Sequence, residues 1–299
     1  MPADEHPPIC DYEGSDYQSV FWEEGGRAYE DQVEAIAMKR LLPDSGNLLL
    51  ETGAGAGRNT PRYQGFENIV LLDYSLSQLQ LAQERLGINP HYRYVAADAY
   101  HLPFIPGTFN TVTMIRTLHH MADAPAALRQ VRQVLQPGGI FLLEYANKRN
   151  LKAILRYALR KQDWSPFTLE PIEFAELNYD FHPGAVTHWL RDCQFEVERQ
   201  LTVSHYRIGI LKRLVPHRLL VGMDSLAQLT GNWFQLSPSV FVRSHAAGTT
   251  PVNETGSIFR CPACGTYPLR EGAEIISCDS CSTQWGIVNG IYDFREPLD

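Results

Sequence analysis

Five short apolar runs, set apart by turn-forming and helix-forming segments, constrain this chain more than any other feature. "NLLLE" (47–51), "NIVLLD" (68–73), "YRYVAAD" (92–98), "FNTVTMI" (109–115) and "GIFLLEYA" (139–146) each have the length of a strand. Their apolar residues are nearly continuous, as in strands covered on both faces. Helical patterns lie between them, such as "SLSQLQLAQERL" (75–86) and "APAALRQVRQVL" (124–135). This order predicts an α/β fold: a parallel sheet with helices on both faces. Residues 16–42 also read as largely helical, ending at Pro43.

At 299 residues the chain is long enough for one large domain and a small one. It has no run of apolar residues long enough to cross a bilayer. The opening "MPADEHPPICDYEGSDYQ" is acidic and proline-rich, without the basic and then apolar pattern of a secretory signal, so a cytoplasmic location is expected. A net charge of −8 disfavours a general nucleic-acid binder, whose affinity comes from neutralising phosphates.

The first strand runs straight into a glycine turn, "LLLETGAGAGRN" (48–59). Gly53, Gly55 and Gly57 let the backbone turn sharply and approach a ligand closely. No Gly-Lys-Ser/Thr follows, which excludes a phosphate loop of the Walker type; Arg58 stands there instead. Glu51, just before the turn, suits a bound cation and would repel a pyrophosphate. Asp73 ends the second strand, where an acid accepts hydrogen bonds from ribose hydroxyls. Asp98 ends the third, where it either reads an adenine amino group or caps the next helix. A ligand with a ribose, an adenine and a cationic amino acid, but no phosphates, is S-adenosylmethionine (SAM).

On these residues the chain resembles a Rossmann-like SAM-dependent methyltransferase of the broad group that includes the ubiquinone and menaquinone methyltransferases. "LLETGAGAGRN" is similar to the glycine-rich motif, "VLLDYS" to the ribose-binding acid and "VAADAYHLPF" to the adenine-side acid. "FNTVTMIRTLHHMAD" resembles the fourth-strand motif, and "QVLQPGGIFLLEY" the turn into the fifth strand. The resemblance covers about residues 45–146. It implies cofactor contacts at Glu51, Gly53, Ala54, Gly55, Gly57, Asp73, Tyr74, Asp98, Ala99 and Arg116. "DYQSVFWEEGGRAYED" resembles the helical lid of these enzymes, so Tyr17, Trp22, Arg27 and Tyr29 are candidates to pack the cofactor or bind its carboxylate; a surface helix with buried aromatics is the alternative.

Methyl transfer from a sulfonium asks mainly for alignment and exclusion of water; a base is needed only for an acceptor that holds its proton at neutral pH. The resemblance puts the acceptor near the ends of the fourth and fifth strands. His119, His120, Tyr145 and His182 are therefore the candidate catalytic residues, with Asn147 and Lys148 also facing that side. Two adjacent histidines are more often packing and capping groups, and the resemblance implies such a role in the SAM pocket wall. The "NPPY"-type motif of amino-group methyltransferases is missing, which argues against adenine or glutamine as acceptor.

Residues 148–161, "KRNLKAILRYALRK", hold six basic residues and no acid, with Leu151, Ile154, Leu155, Ala158 and Leu159 at helical spacing. "HYRIGILKRLVPHRLLVGM" (205–223) is similar. Such helices either pack on a sheet with a solvated basic face or meet an anionic or lipid-like acceptor, a membrane surface or RNA phosphates.

Cys261, Cys264, Cys278 and Cys281 form "CPAC" and "CDSC" knuckles thirteen residues apart, the spacing of a four-thiolate structural zinc site. The segment closing on "GIVNGIYDF" resembles the zinc-ribbon family of small methyltransferase activators, which implies a docking or stabilising role. The expected organisation is a helical lid (1–45), a methyltransferase domain (46–243) with an added acceptor-side region (147–235), a linker (244–257) and a zinc ribbon (258–299). The expected activity is SAM-dependent O- or C-methylation of a small or lipid-like metabolite, with zinc as structural metal, transient membrane-surface contact and protein docking through the ribbon as partners, and nucleic acid disfavoured. Its rivals are a tRNA (wobble-uridine-type) methyltransferase with a fused activator module and a non-catalytic SAM-binding or partner-docking protein.

Overall fold

The computed structural model describes residues 7–14 and 26–298. The five apolar runs form β1 (Gly46–Thr52), β2 (Phe66–Asp73), β3 (Tyr92–Ala96), β4 (Phe109–Met114) and β5 (Leu135–Ala146), paired in parallel in the order 3-2-1-4-5. Order reverses at β1, between β2 and β4, so the C-terminal ends of the strands splay there and leave a crevice.

Alternating side chains feed two cores. Leu50, Val70, Val112 and Phe141 face one side, against Leu128 and Val131 of α3 (Ala124–Val134). Leu49, Leu71 and Leu142 face the other, against Val33, Ala37 and Leu41 of α1 (Ala28–Leu41) and Leu79 of α2 (Leu76–Leu86). Each fully buried leucine contributes roughly 2 kcal/mol. The helices start where side chains cap them: Ser75 accepts from Gln78 N–H, and Asp123 from Ala126 N–H at 2.9 Å.

Beyond β5 the chain alternates helices with short strands. α4 (Leu151–Ala158) is followed by a small hairpin, β6 (Ile172–Ala175) and β7 (Asn178–Asp180), then α5 (Pro183–Asp192). β8 (Phe195–Val203) and β9 (Ser239–Ala246) extend the sheet, β9 lying antiparallel to both β5 and β8. Between them the basic stretch 205–223 is two helices, α6 (Gly209–Leu214) and α7 (His217–Ala227), not one. Pro216 separates them, since it pushes Val215 into extended backbone and cannot continue a helix.

Residues 244–257 do not form a free tether. Residues 244–246 belong to β9, and Asn253 N–H donates to Gly107 O at 2.9 Å while its amide donates to Thr108 Oγ1. A Cβ on Gly107 would lie 2.0 Å from Pro251 O, so glycine permits this close approach. The turn-rich composition marks an irregular path, but its polar groups are spent on the domain surface.

The cysteine segment forms β10 (Arg270–Glu271), β11 (Ile275–Ser277), β12 (Gln284–Val288) and β13 (Ile291–Asp293). β13 pairs in parallel with β3, Tyr292 opposite Val95, giving one eleven-stranded sheet. Phe259 is fully buried against Phe104 and Phe294 and joins the same core as Val112. Phe259→Ala is expected to lower stability by about 3–5 kcal/mol and to leave one cooperative calorimetric transition. A separate, early transition of the C-terminal segment would instead show two independent cores.

Candidate functional site

A cleft of about 1000 Å3, open mouth included, lies at the crevice between β1 and β4. Its walls come from the ends of four strands: Gly53–Ala56, Arg58 and Asn59 after β1, Asp73 and Tyr74 at β2, Ala97–Tyr100 after β3, and Ile115–Thr117, His120 and Met121 after β4. Ile9, Cys10 and Tyr12 close one side, and burial raises the Cys10 thiol pKa.

The glycine turn is built for a close neighbour. Gly53 and Gly55 have φ of +70° and +52°, values that side chains resist. A Cβ on Gly53 would strike Thr117 at 2.1 Å, whereas one on Gly55 would point into open space, so the cradle beside Gly55 is free for a ligand. Asp73 holds this geometry: one carboxylate oxygen accepts from Gly55 N–H at 2.8 Å, the other from Ser75 N–H at 3.0 Å. Burial raises its pKa and those hydrogen bonds oppose the rise. Asp98 lines the cleft while accepting from Tyr100 N–H at 2.8 Å and pairing with His101 at 2.7 Å. It therefore both shapes its own turn and faces the cleft. Ala54, Tyr74, Ala99 and Arg116 also line it.

Glu51 is not among the lining residues. Two positions from Leu49, it shares that residue's face, beneath the turn, where Thr60 Oγ1 donates to it at 2.6 Å and Tyr63 OH at 3.3 Å. Loss of water around it raises its pKa to about 7. The expectation that it sits beside a bound cation is corrected accordingly; it pins the 60–63 turn to β1. Gly57 likewise packs against Leu86 of α2 rather than lining the cleft. Arg27 stands at the start of α1, outside the lining, and Tyr17 and Trp22 fall outside the described residues.

Two charges named from the sequence share a partner that was not, Glu34 of α1. Arg58 and Arg116 line the cleft, and both bond Glu34, which is fully buried; Arg58 also bonds Asp31. The two guanidiniums hold the Glu34 carboxyl below the usual range despite its burial. Acids at 30, 31 and 34, clustered in the first two turns of α1, were the available signal. Arg116 has φ +59°, and its N–H donates to Glu144 at 3.0 Å.

Of the proposed catalytic residues, His120 alone lines the cleft. Its Nδ1 lies 3.1 Å from Leu177 O, a group that only accepts, so Nδ1 carries the proton. Nε2 is left as an acceptor, 3.1 Å from Tyr12 OH, and burial lowers the pKa, keeping the ring neutral at pH 7. His119 packs beside it with ring centroids 4.0 Å apart; its Nδ1 is buried without a hydrogen-bond partner among the described residues. Tyr145 lies in the core, 1% exposed, because strand alternation turns it inward. His182 caps α5, accepting from Gly184 N–H at 3.0 Å, and lines a separate shallow hollow with Arg149 and Arg191. Asn147 and Lys148 are spent on loop carbonyls.

The four cysteine sulfurs lie within 4.8 Å of one another, with Cys261–Cys281 and Cys264–Cys278 at 3.6 Å. A tetrahedron of thiolates around zinc has edges of about 3.8 Å, so the set fits such an ion. Just past β13, Arg295 bonds Asp293 at 2.7 Å, lies 3.8 Å from Glu13 and sits over the Tyr74 ring at 5.9 Å. Glu13 in turn accepts from Ser75 Oγ and Ser77 N–H. The cysteine segment thus reaches the cleft wall and the segment that closes it.

Residues 50–143 match the family described as "Methyltransferase domain". The chain is similar to a ubiquinone/menaquinone biosynthesis C-methyltransferase of Idiomarina loihiensis, 35% identical over 109 residues, 34% of this chain and 43% of that protein. It is similar also to an O-methyltransferase of Penicillium expansum, 30% identical over 130 residues, 40% of this chain and 46% of that protein. The matched stretch spans less than half the length of these relatives. Among solved structures, a chain of the complex between the Haloferax volcanii Trm112 methyltransferase activator and a methyltransferase superposes with a TM-score of 0.56, at 14% identity, over 78% of this chain and 96% of that one. The fold is the α/β, Rossmann-like fold of the methyltransferases that the chain resembles, and residues 50–143 match the methyltransferase-domain family.

Glu51 carries a pH test. Its folded pKa lies above its unfolded one, so its contribution is complete below the unfolded value near 4.5 and is lost as pH rises through about 7. Glu51→Gln is expected to gain stability relative to the parent across that window, on the order of 1–3 kcal/mol by pH 8. Thermal melts at pH 5 and pH 8 check it; a constant difference between the two proteins would refute the buried, proton-holding carboxyl.

Proposed function

We propose that this protein is a SAM-dependent methyltransferase acting on oxygen or carbon of a small or lipid-like metabolite. The convergence of the Gly55 cradle, Asp73 and Asp98 on one cleft at the sheet's reversal point carries the reading. Asp73, already oriented by two backbone N–H groups, would take the ribose hydroxyls; Asp98 and Ala99 the adenine side; Arg58 and Arg116 the methionine carboxylate. SAM supplies an electrophilic methyl group on its sulfonium. The protein's own part is to align the acceptor and exclude water, with Ile9, Cys10 and Tyr12 as the closing wall. For an acceptor with a hydroxyl or acidic C–H, His120 Nε2 takes the proton, since Nδ1–H is committed to Leu177 O. The C- and O-methyltransferases among the relatives support the acceptor class.

In this reading Cys261, Cys264, Cys278 and Cys281 hold a structural zinc ion, and the segment around them is a built-in counterpart of the activator that the Haloferax volcanii complex carries as a separate chain. The parallel β13–β3 pairing and the shared Phe259 core support it.

Calorimetric titration should give micromolar affinity for SAM and for its demethylated product. Asp73→Ala should weaken both about 100-fold by loss of charged hydrogen bonds, and Asp73→Asn less. No binding of either ligand would overturn the reading. Elemental analysis of protein purified without chelator should find one zinc per chain; absence of metal would sink the ribbon assignment alone.

A further inference from the structure

Unburied apolar surface is distributed unevenly in this molecule. Among the described residues, seventeen of the twenty-four large apolar side chains left exposed lie between 151 and 236. α4 is the clearest case. Asn150 caps it, accepting from Ala153 N–H at 2.9 Å, yet Ala153 is the one residue it buries. Leu151, Leu155 and Leu159, four apart on one face, are 53%, 53% and 64% exposed. Packing on the sheet therefore does not explain them.

A second segment adjoins this row. Leu151 N–H donates to Leu236 O at 2.8 Å, and Arg149 reaches Gln235 Oε1 at 3.4 Å. Trp233 and Phe234, just before, are 73% and 64% exposed. One position along from each leucine stands a cation: Lys152, Arg156 and Arg160, all exposed, and none paired with an acid among the described residues. Residues 148–161 hold six basic residues and no acid in a chain of net charge −8.

We propose that α4, with Trp233 and Phe234, is a docking surface for an anionic lipid bilayer. An apolar row flanked by cations, with an indole beside it, matches the interface of such a bilayer, where apolar side chains enter the acyl boundary and cations meet headgroup phosphates. A second copy of the chain fits worse, because a two-fold contact would face the two basic rows toward each other. None of the helices among the described residues is long and apolar enough to cross a membrane, so the contact is peripheral. The place is apt: α4 follows β5, whose C-terminal end lies beside that of β4 on the edge that carries the cleft. Docking itself does not need the methyltransferase reading. Its use, bringing a lipid-like acceptor to the cleft, rests on that reading.

Co-sedimentation of the full chain with vesicles of phosphatidylcholine, alone or mixed with phosphatidylglycerol, tests this. Binding to the mixed vesicles is expected, weakening as salt rises. Leu155→Ser with Leu159→Ser should cut it about tenfold or more. Lys152→Gln, Arg156→Gln and Arg160→Gln together should cut it about 100-fold. All these side chains are exposed, so both variants should keep the parent's circular dichroism and SAM affinity. Asp73→Ala should keep vesicle binding, which separates failure of docking from failure of the enzyme reading. No binding of the folded parent to anionic vesicles, equal binding to neutral ones, or indifference to both variants overturns the proposal. So does self-association that the leucine variant abolishes in the absence of vesicle binding.

Discussion

A carboxylate with no access to water holds the cleft in shape. Glu34 sits on α1, yet its oxygens bond Arg58, just after the glycine turn, and Arg116, just after β4. It therefore ties one helix to both loops that flank the reversal point of the sheet. Taking a carboxylate out of water is costly, and two guanidiniums offset that cost only while all three groups keep their places. Removing one member would strand the others, a loss of about 3–5 kcal/mol for buried pairs of this kind. Arg116 holds its left-handed backbone, φ +59°, as a member of this network.

The acids at the ends of β1 and β2 show how much of such a site can be read in advance. Asp73 was legible: an acid closing the second strand meets the cleft by topology alone, and it does so here. Glu51 was legible as a strand end but not as to its face. Its partners Thr60 and Tyr63 come from a short turn whose path no local pattern announces. Tyr145 is turned into the core by strand alternation and His182 is spent as the cap of α5, so neither lines the cleft. The Glu34 network was hidden because its members lie 24 and 82 residues apart.

Strands were read well where both faces are buried, since an unbroken apolar run has few other uses. β8 and β9 escaped notice: "FEVERQLTV" alternates apolar with charged residues on a half-exposed edge, and β9 ends in the small, polar residues that mark a loop elsewhere. The stretch read as a linker shows the limit of composition. Its residues are those of a turn, yet Gly107, Thr108 and Arg132 bond it along much of its path.

The pairing of β13 with β3 has a consequence for traffic at that edge of the sheet. An open parallel edge is a template for any strand of matching register. Here the occupant is tethered to the same chain, so its effective concentration is on the order of millimolar or above. A free protein at cellular, micromolar levels, offering an equivalent strand, would lose that competition nearly every time. The covalent link thus keeps β13 in constant stoichiometry with β3 and closes the edge to other claimants, whatever their abundance.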